Sequence, residues 1–312
     1  MGRRELIQAG DHRALAALIR ELDDGGPASA RASQELHELT AGLPPPFVVG
    51  VTGPPGAGKS TLVDGLCGLL RRRGARVGIV AVDPSSPLGG GAVLGDRVRM
   101  QRHATDAGVF IRSLGTRGAG GGLSSSAAQV VAALGAGGFS TVLVETVGVG
   151  QAEVDVAVLA DVTAVVTVPG LGDDVQALKV GLLEIADVLV VNKGDREGAD
   201  RAVGDLMAML ALAARPAPPI LKTSATNGAG IEELVTALET LRQRPLAERA
   251  ARRRRQAARQ VAAVAADTLR ARLQAALSGA AAGDPVSHTI ASVADRTLDP
   301  WSAADLLMSV LK

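Results

Sequence analysis

Residues 47–61 read Phe47-Val48-Val49-Gly50-Val51-Thr52-Gly53-Pro54-Pro55-Gly56-Ala57-Gly58-Lys59-Ser60-Thr61. The apolar run up to Thr52 predicts a short buried strand. The run from Ser60 to about Arg73, with Leu62, Leu66, Leu69 and Leu70 on one side, predicts a helix. Strand, glycine loop and helix in that order turn a G-x-x-x-x-G-K-[ST] spacing from a glycine-rich turn into a phosphate-binding P-loop. Each part has a physical task. The glycines let backbone N–H groups turn inward around phosphate oxygens, and the helix N-terminus adds partial positive charge. Lys59 is placed to reach the β- and γ-phosphates, and the Ser60 hydroxyl to ligate Mg²⁺.

Outward from this loop, further apolar runs predict strands at 77–82, 109–114, 141–144, 163–168, 187–191 and 219–223, with helical stretches between them. About seven strands alternating with helices give an α/β fold, a doubly wound and mostly parallel sheet. Composition agrees. Apolar residues make up 47% of the chain, yet it has three Phe, one Trp and no Tyr, so the core must be Val, Leu, Ile and Ala. That is the make-up of a parallel sheet covered on both faces. In such sheets ligands bind beyond the carboxyl ends of the strands, where the polar clusters of this chain fall.

Two flanks surround the predicted P-loop domain of residues 47–245. Residues 1–46 form a helical arm, with Leu6, Ile7, Leu15, Leu18, Ile19 and Leu22 at helical spacing, a second helix over 30–40, and a stop at Leu43-Pro44-Pro45-Pro46. Its His12 and His37 read as solvated helix residues. Residues 246–312 form a helical extension dominated by a long Ala- and Arg-rich run over 248–277. Arg252-Arg253-Arg254-Arg255 invites a nucleic-acid reading. With no aromatics interleaved and a net charge of +1, a solvated helix face is the better one. Trp301 and His288 read as packing or surface residues. A single Cys67 excludes a disulfide within the chain. No apolar stretch approaches a membrane span, and the N-terminus has no apolar signal region, so a cytoplasmic protein without membrane or nucleic-acid partners is expected.

A second signal is Asn192-Lys193-Gly194-Asp195 at the end of an apolar strand. An aspartate carboxylate accepts two hydrogen bonds from the N1–H and 2-amino group of guanine, which adenine cannot supply. Asn192 can brace the P-loop and the Lys193 stem can cover the base. A backbone N–H at Ser224-Ala225 is placed for the guanine carbonyl. The plainer reading of Asn192 and Asp195 is turn chemistry after a strand. The γ-phosphate side should carry carboxylates. Asp83 and Glu145, both at strand ends, can hold Mg²⁺ directly or through water. Gly148 can donate its N–H to the γ-phosphate. Asp96, in a glycine-rich segment, joins the metal site only when that segment closes.

Asp-Pro-Ser-Ser-Pro at 83–87, Leu-Gly-Asp-Arg at 94–97, Glu-Thr-Val-Gly-Val-Gly-Gln at 145–151 and the Asn-Lys-x-Asp at 192–195 together resemble the MeaB/ArgK family. The resemblance runs over nearly the whole chain, and Glu145 in place of the usual aspartate is characteristic of it. It implies a GTPase with weak intrinsic hydrolysis that acts as a chaperone of adenosylcobalamin-dependent acyl-CoA mutases, chiefly methylmalonyl-CoA mutase. GTP state would gate cofactor delivery and protect or rescue the mutase, adenosylcobalamin itself being met only through that partner. It also implies a homodimer joined through the C-terminal extension. By matching motif, Asp83 and Asp96 belong to a first switch and Glu145 to a second. Residues 170–179, with Asp173, Asp174 and Lys179, correspond to a third that touches the partner. A carboxylate or Gln151 would orient the attacking water. Three other readings stay open: a kinase or ATPase of an amino-acid transport system, a nickel- or cobalt-insertion GTPase, which would need a Cys/His ligand cluster, and a nucleotide-gated scaffold with negligible turnover.

Overall fold

The computed structural model describes residues 2–24, 26–84, 101–103, 105–116, 126–146, 152–170, 180–212, 216–244, 246–279 and 283–310. Three helices, α1 (Arg3–Gln8), α2 (His12–Asp24) and α3 (Gly26–Thr40), precede β1 (Phe47–Thr52) and α4 (Lys59–Arg72). Then come β2 (Val77–Pro84), β3 (Val109–Thr116), α5 (Ser126–Ala136), β4 (Thr141–Thr146), α6 (Ala152–Leu159), β5 (Val162–Thr167), α7 (Val180–Ile185) and β6 (Val188–Val191). The chain continues through α8 (Ala199–Ala211), β7 (Ile220–Lys222), α9 (Ile231–Arg242), α10 (Leu246–Gly279), α11 (Pro285–Ala294) and α12 (Pro300–Val310).

The seven strands form one sheet in the order β3-β2-β4-β1-β5-β6-β7, parallel at every pairing. The central strands β1, β4, β5 and β6 are buried along their whole length. Successive side chains point to opposite faces. Val48, Val80, Val142 and Val144 therefore face a layer built from α2, α3, α5 and α6. Val49, Val51, Ile79 and Leu143 face α4 and α9. A smaller cluster on β5 and β6 is closed by α7 and α8.

The N-terminal helices are more tightly bound to the sheet than the word arm suggests. Leu15, Leu18, Ile19 and Leu22 of α2 and Leu36 and Leu39 of α3 are buried in the same cluster as α5 and the sheet. Asp11 starts α2 by accepting the Ala14 N–H at 2.7 Å. The expected helix over 30–40 begins earlier, at Gly26, with Pro27 in the first turn where its missing N–H costs nothing. His12 departs from expectation. Its ring lies 5.4 Å from that of Phe110 and 5.8 Å from that of Phe139, with Nε2 3.1 Å from the Ala107 carbonyl. It thus joins an aromatic cluster, whereas His37 is exposed.

By contact density the chain forms two compact units, one through Gln256 and one from Ala257, dividing within α10. In the first, the root of α10 is fastened at the amino edge of the sheet. Arg252 pairs with Asp187 at 3.2 Å, and Gln256 donates to the Leu159 and Ala160 carbonyls at 3.2 and 3.1 Å. The second contains the rest of α10 with α11 and α12. Asp284 caps α11 through the Ser287 N–H at 2.7 Å, and Trp301 of α12 is 86% exposed within the chain. Among the described residues no helix is long and apolar enough to cross a membrane.

Candidate functional site

The glycine loop turns between β1 and α4. Gly53 has φ +140° and Gly58, the N-cap of α4, has φ +83°. Both positions need glycine for space as well as conformation: a Cβ on Gly53 would lie 2.0 Å from the Val166 carbonyl oxygen, and one on Gly58 2.5 Å from Asn192 Nδ2. Gly58 brings no side-chain oxygen to cap the helix, so the first-turn N–H groups of α4 keep their donors for an anion.

Lys59 is 5% exposed, and its ammonium turns back over the loop, donating to the Gly53 and Pro54 carbonyls at 2.8 and 3.0 Å. Ser60 Oγ donates to Glu145 Oε1 at 2.6 Å. Glu145, near the carboxyl end of β4, is 4% exposed. The sheet register places it beside Val51 of β1 and Ala81 of β2, two neighbours that bring α4 and the end of β4 to one place. Thr146 donates to Thr52 at 3.0 Å beneath them. An anionic carboxylate and a hydroxyl held together are the hard oxygen donors that Mg²⁺ prefers.

The candidate base side is built around Asn192, 2% exposed. Its Nδ2 donates to the Ala57 carbonyl at 2.8 Å, and its Oδ1 accepts from Thr223 Oγ1 and the Ala225 N–H, both at 3.1 Å. Lys193, one of two non-glycine residues with positive φ among the described residues (+56°), sends its ammonium to the Gly56 carbonyl at 2.8 Å. Asp195 is exposed, and a hydrogen bond from Ser224 holds its carboxyl below the ordinary carboxylate range. The N–H groups at 224 and 225 are engaged within the protein, Ser224 with the Ala229 carbonyl at 2.9 Å and Ala225 with Asn192. A guanine carbonyl there would have to share the Ala225 donor.

Residues 53–61, 145, 192–195 and 224–225 therefore converge at the carboxyl ends of β1, β4, β6 and the segment after β7. Asp83, next to last in β2, lies beside Gly115 of β3, and its side chain lies outside the described residues. So do Asp96, Gly148, Gln151, Asp173, Asp174 and Lys179. Thr52, Thr146 and Thr223 are structural partners that sequence reading missed. A threonine at a strand end has no signature of its own, although its position next to a motif is a usable hint.

A parallel seven-stranded sheet with this loop after β1 and Asn-Lys-x-Asp after β6 defines a P-loop GTPase, which binds GTP and GDP. The family described as methylmalonyl Co-A mutase-associated GTPase MeaB matches residues 15–278, and the chain belongs to it. A putative GTPase of Pyrococcus horikoshii is 44% identical over 312 residues, covering 97% of this chain and 96% of its own. A mouse protein described as methylmalonic aciduria type A homolog, mitochondrial, is 37% identical over 235 residues, covering 72% of this chain and 57% of its own. A crystal structure described as LAO/AO transport system kinase superposes with a TM-score of 0.68 at 26% identity, covering 99% of this chain and 97% of that one.

Proposed function

We propose that GTP hydrolysis by this chain gates delivery of adenosylcobalamin to a cobalamin-dependent acyl-CoA mutase in the cytoplasm, methylmalonyl-CoA mutase first among candidates, and protects or reactivates that enzyme. The observation that carries the reading is the match to a mutase-associated GTPase family over residues 15–278, supported by the mouse relative. In this scheme the chain is a homodimer through residues 246–312. Asp173, Asp174 and Lys179 meet the mutase.

Hydrolysis is then positioning and electrostatics. The loop N–H groups and Lys59 hold the β- and γ-phosphates, Lys59 leaving the Gly53 and Pro54 carbonyls to do so. Asn192 keeps the base loop registered on the P-loop, the Lys193 stem covers the base, and Asp195 accepts from guanine. The Ser60–Glu145 pair suits Mg²⁺, which when bound neutralises charge between the β- and γ-phosphates. Asp83 and Asp96 complete the metal side, Gly148 donates to the γ-phosphate, and Gln151 or a carboxylate orients the water.

The transport-kinase description of the structural neighbour favours one alternative, phosphoryl transfer to an acceptor. Following γ-³²P from GTP, with and without methylmalonyl-CoA mutase, separates the two. A chaperone GTPase releases only inorganic phosphate, faster when the mutase is present. Label on a protein or small-molecule acceptor, or a rate indifferent to any cobalamin mutase, would overturn the proposal.

A further inference from the structure

A cavity of about 610 Å³ lies at the opposite end of the sheet from the glycine loop. Its wall includes Phe47, the first residue of β1, and Asp161, which directly precedes β5. Gly53 follows the other end of β1. Six strand residues span roughly 20 Å, so this cavity and the candidate nucleotide site are separate places. Its size is in the range that takes a small ligand.

Guanidinium groups dominate the wall. Arg242, Arg244, Arg252, Arg253 and Arg255 line it, against the carboxylates of Asp161 and Glu248. Two of the five are fixed from behind: Asp187 takes Arg244 at 2.7 Å and Arg252 at 3.2 Å. The other three have no carboxylate partner among the described residues. Arg242 lies over the Phe47 ring, 5.2 Å from its centroid, a stacking that fixes the guanidinium plane and leaves its N–H edge available. Arg253 and Arg255 are exposed on α10. Three unpaired cations around one cavity repel each other, and a bound anion turns that repulsion into attraction.

The acceptors narrow the ligand class. Asp161 accepts the Val48 N–H through Oδ2 at 2.9 Å, which leaves Oδ1 as its second acceptor, and Glu248 is exposed. Carboxylates beside an arginine cluster repel a bare anion but accept from hydroxyl groups on the same molecule. Nucleic acid is the poorer fit, because single strands need aromatic platforms and the one aromatic ring here is covered by Arg242.

We propose that this cavity binds a small phosphate-bearing metabolite, with the phosphate held by Arg242, Arg253 and Arg255 and its hydroxyl groups accepted by Asp161 and Glu248. The site is independent of the nucleotide reading. The test is calorimetric titration of the full chain with inorganic pyrophosphate, on GDP-saturated protein and on Lys59→Ala. Saturable binding is expected in both. It should weaken about tenfold or more in the Arg253→Ala/Arg255→Ala double variant, which removes two charge-assisted partners. Arg254→Ala, an exposed neighbour outside the wall, should leave it unchanged. All three arginines are exposed within the single chain, so folding is not at stake, and sedimentation of each variant checks that any pairing through residues 246–312 is kept. Loss of binding in Lys59→Ala would place pyrophosphate in the glycine loop and overturn the proposal. So would equal weakening by Arg254→Ala, the mark of general surface charge, or citrate binding as tight as pyrophosphate at matched ionic strength.

Discussion

The Asn192 carboxamide joins the end of β6 to the glycine loop by donating to the Ala57 carbonyl at 2.8 Å. The same side chain accepts from Thr223 and Ala225, so one buried amide registers three loops. Asn192→Ala leaves the Ala57 carbonyl and the Ala225 N–H without their partner. At about 1–3 kcal/mol for each of these two unsatisfied groups, a loss of roughly 2–6 kcal/mol in unfolding free energy is expected. GDP affinity should fall by about tenfold or more, since 1.4 kcal/mol is a factor of ten. Urea titration and calorimetry read the two effects. A variant as stable and as tight-binding as the parent would show that the clasp carries neither.

The proposed guanine readout by Asp195 makes a sharper prediction. The carboxylate is exposed and pre-aligned by Ser224. Asp195→Asn replaces one acceptor oxygen by a donor, which mismatches guanine and matches the 2-oxo group of xanthine. GDP should bind at least about tenfold more weakly and xanthosine diphosphate more tightly, in line with sites built around a specific hydrogen bond. Asp195 is exposed and the carboxamide keeps an oxygen able to accept from Ser224, so the variant still folds, which melting curves check. Unchanged preference between the two nucleotides would remove Asp195 from the base site.

Much of this architecture is legible in the chain itself. Runs such as Val77–Val82 and Val188–Val191 are rich in β-branched residues and end at Asp83-Pro84 and at Asn192, so strands announce themselves locally. Strand order does not. Nothing near β4 in sequence says that it sits between β2 and β1, because parallel pairing leaves no turn signature. The stripe of Leu15, Leu18 and Ile19 shows that α2 buries one face. That the face lies against α5 and the sheet is decided by long-range packing. The site divides the same way. The P-loop and Asn-Lys-x-Asp spacings name Lys59, Ser60, Asn192 and Asp195, whereas Thr223 and the Thr52–Thr146 pair emerge only when separate strands meet. Engagement of the Ala225 N–H by Asn192 was equally invisible, since spacing says which backbone is near and not which donors are taken.

Acid stability should report a second carboxylate. Asp106 receives the fork of Arg71 at 2.9 and 2.8 Å and the Gly108 N–H at 2.7 Å. Hydrogen bonding from Arg71, then from Gly108, lowers its carboxyl to about 2 from an ordinary 3.8. A depressed folded pKa means stability that is present above about pH 4 and lost as pH falls toward 2. Asp106→Asn should therefore be less stable than the parent at pH 7 and approach it at pH 2. Thermal melts across that range test the sign. A constant gap between the two proteins from pH 7 to pH 2 would mean that the Arg71 pairing does not set it.

Glu145 carries the test of the proposed Mg²⁺ site. Glu145→Gln keeps the volume and keeps an oxygen able to accept from Ser60, the contact seen at 2.6 Å, but removes the negative charge. If that charge serves only to orient Ser60, hydrolysis and its Mg²⁺ dependence stay as they were. If it helps hold the ion, the Mg²⁺ concentration for half-maximal GTP hydrolysis rises and the saturated rate falls by about tenfold or more, as expected when metal-borne charge stabilisation is weakened. GDP binding measured without Mg²⁺ should be unaffected, because the loop N–H groups, Lys59 and Asn192 are unchanged. Measuring all three quantities on one variant separates the ion from the nucleotide. A rate loss with no shift in Mg²⁺ dependence would assign the Glu145 charge to the attacking water and leave the metal to other oxygens.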